Sequence, residues 1–406
     1  MHLAFVDNLP VAGGISRFSL LLCKTLIENN TALTIDYYIH YDNLKHIPEI
    51  HTIGNRVTVI PIKNSAAPKK LLGILQKITS KIGYKNTTDK VLQEIEMKIN
   101  TQYDLAYFPC AHMMKKPLLP IPIVGTIHDF NWKYFFGKQI FSLPFVKMMD
   151  EEILKWLKSP YNICSSQDVV DEAKKLYSNA AYLPNVVHIG PLVYNNEIAE
   201  SRAEEILKEL EIDYPYIIFP GNFFPHKNHL NLFTAFHLLK KRKGFEKYKL
   251  VLTGMNSDQI PKGIAEYRGV QILTKNSIET NYDVKGMGYL SNEKLDALIQ
   301  KASLLVSPSI YEAICTPGMD AWNFGTPTAI SDIPPFREHE KDWGIRSAFF
   351  DPMDPKNIAD VLENYLNNPQ QRKADGLISK QNMNNYSWKQ VADGYMNIFK
   401  KATTEK

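Results

Sequence analysis

Residues 307–338 read SPSIYEAICTPGMDAWNFGTPTAISDIPPFRE, and this stretch decides the fold. Just before it, Leu304, Leu305 and Val306 form an apolar run that Pro308 stops, the pattern of a buried strand. Glu312 then falls in the loop at the carboxyl end of that strand, where open α/β sheets hold their ligands. Thr316-Pro317 opens a helix well, because Thr caps freely and Pro suits the first helical turn. Gly325-Thr326-Pro327 breaks the helix, and Pro327–Ile330 reads as a second strand. A helix start in this position offers unpaired backbone N–H groups to an anion, most often a phosphate. Asp320 follows Glu312 after seven intervening residues, far enough to reach another part of the same ligand. The loop reads as a holder for a phosphorylated, hydroxyl-rich molecule. Taken alone, the two acids are explained as well by a helix-capping Glu and a solvated Asp.

The same alternation runs outward in both directions. In the first half, strand-like runs fall at His2–Val6, Leu33–His40, Arg56–Ile60, Leu105–Phe108, Ile121–Thr126 and Tyr161–Cys164. Helical patterns lie at Ser16–Glu28, Asp89–Asn100, Phe145–Lys158 and Val169–Tyr177. The second half has strands at Tyr216–Phe219, Lys249–Thr253, Val270–Leu273, Leu304–Val306, Pro327–Ile330 and Ser347–Phe350. Its helices are Leu230–Lys241, Asn292–Lys301, Pro317–Phe324 and Pro355–Leu366, and a last helix at Lys389–Lys401 ends the chain. Strands alternating with helices predict a doubly wound parallel sheet in each half. The stretch Val187–Arg202, with Gly190, Pro191 and Asn195-Asn196, is the natural boundary. The expected division is therefore 1–190, 191–385 and a terminal 386–406, with a ligand cleft between two Rossmann-like domains.

Composition narrows the classes. The 406 residues exceed one ordinary core, and 44% hydrophobic with 22% charged residues is an ordinary globular balance. A net charge of +4 gives no reason to expect nucleic acid as a partner. Cys23, Cys110, Cys164 and Cys315 are scattered, without disulfide or zinc spacing, which fits a reducing cytoplasm. The start is too quickly interrupted for a signal peptide, and no apolar run approaches the roughly 18–20 residues of a membrane span. There is no Asp-x-Asp triplet and no cluster with metal-ligand spacing, so neither a metal nor a cofactor is expected.

Four further motifs are candidates for chemistry. Gly13-Gly14 lies in the turn between the first strand and its helix, where glycines let backbone N–H groups approach an anion, although taken alone such a turn is more often a plain connection. It is not G-x-G-x-x-G, which argues against a dinucleotide oxidoreductase. Gly221-Asn222 through His226-Lys227 follows the first strand of the second half, and an ammonium there would neutralise a departing phosphate. His128-Asp129 closes an apolar strand, an arrangement in which a carboxylate can orient an imidazole. Gly288-Tyr289 precedes a helix that Ser291 is placed to cap. Separately, Lys63–Lys85 holds six lysines and no acid. A helix over 69–82 would align Leu71, Leu75, Ile78 and Ile82 between flanking lysines, suited either to the domain core or to peripheral contact of 69–85 with anionic membrane.

Taken together these motifs resemble the retaining nucleotide-sugar glycosyltransferases of family 4, which have the GT-B fold. Pro308-Ser309, Tyr311-Glu312, Pro317 and Gly325-Thr326-Pro327 match the family signature, as do Phe350-Asp351-Pro352, Asp354-Pro355 and Tyr386-Ser387-Trp388. Ala313, Ile314 and Cys315 depart from the usual Gly-aromatic-Gly turn, and Asp320 stands where Glu is usual. The resemblance implies a catalytic set of Glu312, Lys227 and His128. Glu312 would contact the transferred sugar, Lys227 the leaving phosphate, and His128 the sugar or acceptor with Asp129 orienting it. It implies donor contacts from Gly13, Gly14, Gly221, Asn222, His226, Gly288, Tyr289, Ile314, Cys315, Thr316, Pro317 and Asp320, the last to the ribose. It also implies a terminal helix crossing back to the first domain. The implied reaction moves a hexose, with a tilt toward mannose, from a GDP- or UDP-linked sugar to a glycan or lipid-linked acceptor. The setting would be surface polysaccharide assembly at the inner face of the cell membrane. A catalytically inactive sugar-nucleotide-binding homologue and a GT-B epimerase are the alternatives.

Overall fold

The computed structural model describes residues 1–7, 14–44, 48–62, 87–135, 141–193, 197–254, 257–258, 266–267, 270–271 and 283–405. The Gly13 position and the basic stretch 69–85 lie outside the described residues. Two compact units emerge. The first comprises Met1–Lys133, Ser142–Ile189 and Trp388–Lys406; the second comprises Tyr134–Phe141 and Gly190–Ser387.

The first unit is built on a parallel five-stranded sheet. Its strands are β1 (His2–Asp7), β2 (Thr34–His40), β3 (Val57–Ile62), β4 (Leu105–Phe108) and β5 (Ile123–Gly125), in the order β3-β2-β1-β4-β5. A parallel bridge from Thr126 to Ile163 leads on to the short pair β6 (Ile163–Cys164) and β7 (Asn185–Val186). Leu3, Ala4 and Phe5 of β1 and all of β4 are buried, because helices cover both faces of the sheet. The terminal helix Trp388–Thr404 packs against helix Gly14–Asn29, and Tyr395 and Phe399 set their rings 5.7 Å and 5.2 Å from Tyr107. Tyr107, Thr126 and Tyr395 join their hydroxyls in one buried chain, at 2.7 Å and 3.2 Å. Gly394 makes the close packing possible, since a Cβ there would fall 2.9 Å from Val187 Cγ1.

The second unit holds a six-stranded parallel sheet and a small antiparallel pair, β10 (Glu266–Tyr267) with β11 (Val270–Gln271). The sheet strands are β8 (Tyr216–Pro220), β9 (Lys249–Thr253), β12 (Val284–Gly286), β13 (Leu304–Ser307), β14 (Thr328–Ser331) and β15 (Ala348–Phe350). Their order, β12-β9-β8-β13-β14-β15, is the 3-2-1-4-5-6 order of nucleotide-binding sheets. The chain moves outward in one direction from β8 and returns to begin again at β13. The crevice between β8 and β13 is therefore the topological switch point, where such sheets take their ligands.

Two expectations need correction. Of the expected strand Val270–Leu273, the described Val270–Gln271 pairs antiparallel with Glu266–Tyr267, and the edge place in the main sheet goes to Val284–Gly286. The sheet accepts that three-residue strand because Val284 alone supplies a buried apolar side chain. Helices Glu200–Glu209, Pro334–Trp343 and Pro369–Met383 were also not anticipated. The last of these packs on Thr316–Phe324 where Gly376 meets the Gly325 carbonyl, and Gly325 ends that helix in the left-handed region at φ +79°.

Candidate active site

At the switch point of the second unit, the loops after β8 and β13 are tied together by backbone and side-chain bonds. After β8, Gly221 donates to the Thr253 carbonyl (3.0 Å), and the chain turns tightly through Pro225–Lys227. Asn228 then adopts φ +57°, a left-handed conformation that Asn tolerates better than most residues. From that position its Nδ2 donates to the carbonyls of Pro308 (2.9 Å) and Pro352 (2.7 Å). The Ile310 N–H donates to the His226 carbonyl (2.8 Å), completing the tie between the two loops.

These ties bring Lys227 and Glu312 together. Lys227 Nζ donates to Glu312 Oε1 at 2.5 Å, and the fully buried Ser309 gives its hydroxyl to the same oxygen at 2.7 Å. Both charged side chains keep some access to solvent, 19% for Lys227 and 15% for Glu312. A partly exposed ammonium–carboxylate pair at a sheet switch point offers a cation for phosphate and an acceptor for hydroxyls in one place.

Around the pair, Cys315 is buried, its thiol pushed up to about 12 by burial and then by the Glu312 charge. Its backbone N–H donates to His339 Nε2 (3.1 Å), so the helix beginning at Thr316-Pro317 is capped by an imidazole. Ile314 is buried beside it, while Thr316 and Pro317 are half-buried. Gly254, at φ +109°, lies against the Gly221 backbone and Asn222, leaving 2.7 Å between a notional Cβ and the Gly221 carbonyl oxygen. Gly288, at φ +68°, donates to Ser257 Oγ (2.7 Å), and Tyr289 beside it is exposed.

His226, expected among the donor contacts, is enclosed between Phe135 and Phe224, with ring centroids at 5.6 Å and 5.5 Å. Burial first, and the Lys227 charge second, hold its pKa well below the ordinary histidine value. Asp320 is buried, and its Oδ1 accepts the Leu192 N–H at 2.7 Å. The shorter acid thus fastens the 190–193 segment to helix Thr316–Phe324, a role the ribose reading did not include.

In the first unit, Gly14 opens helix Gly14–Asn29 after β1 and is exposed. His128, just after β5, is buried, with its ring edge-on to Phe18 of that helix at 5.4 Å. Its Nε2 donates to the Pro109 carbonyl (2.7 Å), which leaves Nδ1 as the unprotonated atom. Its backbone N–H donates to His112 Nδ1 (3.2 Å), and the two imidazoles lie 5.5 Å apart. Burial, then His112, lowers the His128 pKa to about 4, and burial lowers that of His112 to about 4. Asp129 Oδ1 accepts the Asn131 N–H (3.0 Å) and caps the following turn. The imidazole is held by the Pro109 carbonyl.

Sequence reasoning missed Ser309, Asn228, His112 and His339. Ser309 stood inside the recognised Pro308-Ser309 motif, and Asn228 directly follows Lys227. No spacing signalled the histidines, which reach their partners only through the fold.

Residues 202–381 match the family model "Glycosyl transferases group 1", so this segment is similar to that family. A search of curated protein sequences found no match. Among solved structures, sucrose-phosphate synthase from Thermosynechococcus elongatus superposes with a TM-score of 0.69 at 14% identity, covering 100% of both chains. Anabaena Alr3699/HepE in complex with UDP-glucose gives 0.67 at 14% identity over 98% of each chain. A glycosyltransferase from Rickettsia africae ESF-5 gives 0.65 at 15% identity, covering 100% of this chain and 99% of that one. The fold is therefore of the GT-B type along the whole chain.

Proposed function

We propose that this protein is a retaining glycosyltransferase that moves a hexose from a nucleoside diphosphate sugar to a hydroxyl of a glycan or lipid-linked acceptor. The observation carrying the reading is the Lys227–Glu312 pair over the β8/β13 switch point, inside the matched domain. The UDP-glucose held by one structural neighbour supports a nucleotide-sugar donor.

In the reaction envisaged, the donor diphosphate takes the Lys227 ammonium from Glu312, and negative charge building on the leaving oxygen is met by that cation and by helix N-termini. Glu312, still held by Ser309, turns its free lone pairs to the sugar hydroxyls and favours the oxocarbenium-like geometry of the transition state. The acceptor hydroxyl attacks C1 on the face that the phosphate leaves, and its proton passes to the departing phosphate oxygen. The C–O bond to phosphate breaks as the new glycosidic bond forms, and the anomeric configuration is kept. His128, neutral and fixed through Pro109, presents Nδ1 as an acceptor for a sugar hydroxyl. We propose further that no metal is needed, that mannose from GDP-mannose is a favoured donor sugar, and that the setting is surface polysaccharide assembly at the cytoplasmic face of the membrane.

The test is turnover with UDP-, GDP- and ADP-sugars, with and without EDTA, after adding back a membrane-lipid extract. The proposal expects acceptor-dependent, EDTA-resistant transfer and a product whose anomeric coupling constant matches the donor. Inverted product removes the retaining mechanism. Conversion of the nucleotide sugar without acceptor or nucleotide release indicates an epimerase.

A further inference from the structure

We infer that Tyr134 and Tyr311 form a stacking platform for a pyranose ring beside Glu312. Tyr311 immediately precedes Glu312, and its ring centroid lies 5.0 Å from that of Tyr134 with the planes 38° apart. Phe135, only 6% exposed, sets its ring 6.1 Å from Tyr311 and 5.6 Å from His226. His226 immediately precedes Lys227. The aromatic cluster is thus attached through the chain to both members of the charged pair.

The segment carrying Tyr134 is itself unusual. Tyr134–Phe141 belongs to the second unit, although the residues before and after it in sequence belong to the first. The Phe141 N–H donates to the Phe135 carbonyl (3.1 Å). Phe135 is buried, and Tyr134 beside it remains 45% exposed. A buried aromatic that holds its exposed neighbour in place suits contact with a ligand better than filling a core.

The chemistry selects the ligand. A pyranose carries hydroxyls around its rim and a patch of C–H groups on its face. The C–H patch is attracted to the electron-rich face of an aromatic ring, while the hydroxyls need acceptors and donors close by. Tyr311 and Tyr134 supply the face, and the Glu312 carboxylate with the Ser309 hydroxyl supplies the rim contacts. The inference rests on the reading of Glu312 as a sugar contact. The ring can come from the acceptor glycan or from the donor, and the experiment separates these sources.

Wild type, Tyr134→Ala and Tyr134→Phe are titrated with methyl α-mannopyranoside and methyl α-glucopyranoside by saturation-transfer NMR, and with GDP-mannose, UDP-glucose, GDP and UDP by calorimetry. Because Tyr134 is half exposed, all three should melt alike, and this is checked first. Tyr134→Ala should weaken sugar binding about fivefold, the scale of one aromatic contact, while Tyr134→Phe stays within about twofold. Loss on the methyl glycosides assigns the platform to the acceptor; loss on the nucleotide sugars but not the bare nucleotides assigns it to the donor. Unchanged sugar affinity in Tyr134→Ala, equal weakening for bare nucleotides, or no sugar binding by wild type overturns the platform. Nucleotide-sugar turnover that is indifferent to Tyr134 leaves the transferase reading standing. Conversely, Tyr134-dependent glycoside binding without any nucleotide-sugar binding leaves the platform and removes the transferase.

Discussion

Replacing Glu312 by Gln isolates the charge of the carboxylate from its shape. The amide keeps an oxygen that can accept from both the Ser309 hydroxyl and the Lys227 ammonium, but it loses the negative charge that pairs with Lys227. A charged hydrogen bond of this kind contributes about 1.5–3 kcal/mol, and the low exposure of both partners places it within that range. In the wild type, an incoming diphosphate has to displace the carboxylate from Lys227. In Glu312→Gln that competition is weaker, so a bare nucleoside diphosphate should bind as tightly as before or up to about tenfold tighter. Turnover should move the other way: loss of a carboxylate that acts mainly in the transition state costs about 10²–10³ in kcat. The assay pairs calorimetry of nucleoside diphosphate binding with steady-state release of nucleotide from the matching sugar donor. Opposite signs in affinity and kcat support the argument. Equal losses in both would show that Glu312 contributes only uniform binding, and kcat within threefold of wild type would remove it from the chemistry.

Other expectations follow from single contacts. Asn228→Ala loses two hydrogen bonds to Pro308 and Pro352 and puts a Cβ-bearing aliphatic residue at φ +57°; it should lower stability by about 2–4 kcal/mol in urea unfolding and weaken donor binding with it. Gly376→Ala drives a methyl into the Gly325 carbonyl and should cost about 1–3 kcal/mol, read as a lower denaturation midpoint. His112 and His128 titrate near 4 in the folded protein and near 6.5 when unfolded, so the unfolded chain binds more protons between these values. Stability is therefore full above about pH 6.5 and falls as pH drops toward 4, by roughly 3 kcal/mol for each ring. Urea midpoints at pH 7.5 and 4.5 check this, and His128→Gln should flatten the slope.

Much of the architecture was legible because it depends on local rules. Asn292–Lys301 and Pro355–Leu366 begin and end where caps predict: Ser291 accepts from the Lys294 N–H, and Asp354 accepts from those of Lys356 and Asn357. The central strands announced themselves as apolar runs since both faces are covered. Val284–Gly286 was invisible for the opposite reason, a three-residue edge strand with one buried apolar side chain. Helix Pro369–Met383 carries the polar sequence PQQRKADGLISKQNM, and its docking depends on Gly376 against Gly325 rather than on an apolar stripe. In the site, Lys227 and Glu312 were readable as types in loops; their meeting was not, because 85 positions separate them and only the β8/β13 adjacency brings them into contact. The surroundings of His226 were not readable, because Phe135, distant in sequence, packs on its ring.

Calorimetric titration of wild type and Lys227→Ala with UDP-glucose and GDP-mannose tests the central claim most directly, since it needs no acceptor. Wild type should bind at least one of them, and Lys227→Ala should weaken that binding tenfold or more, in line with the loss of about 1.5–3 kcal/mol of charge-assisted contact to phosphate. Binding of equal strength in both proteins, or none by the wild type, would contradict that claim.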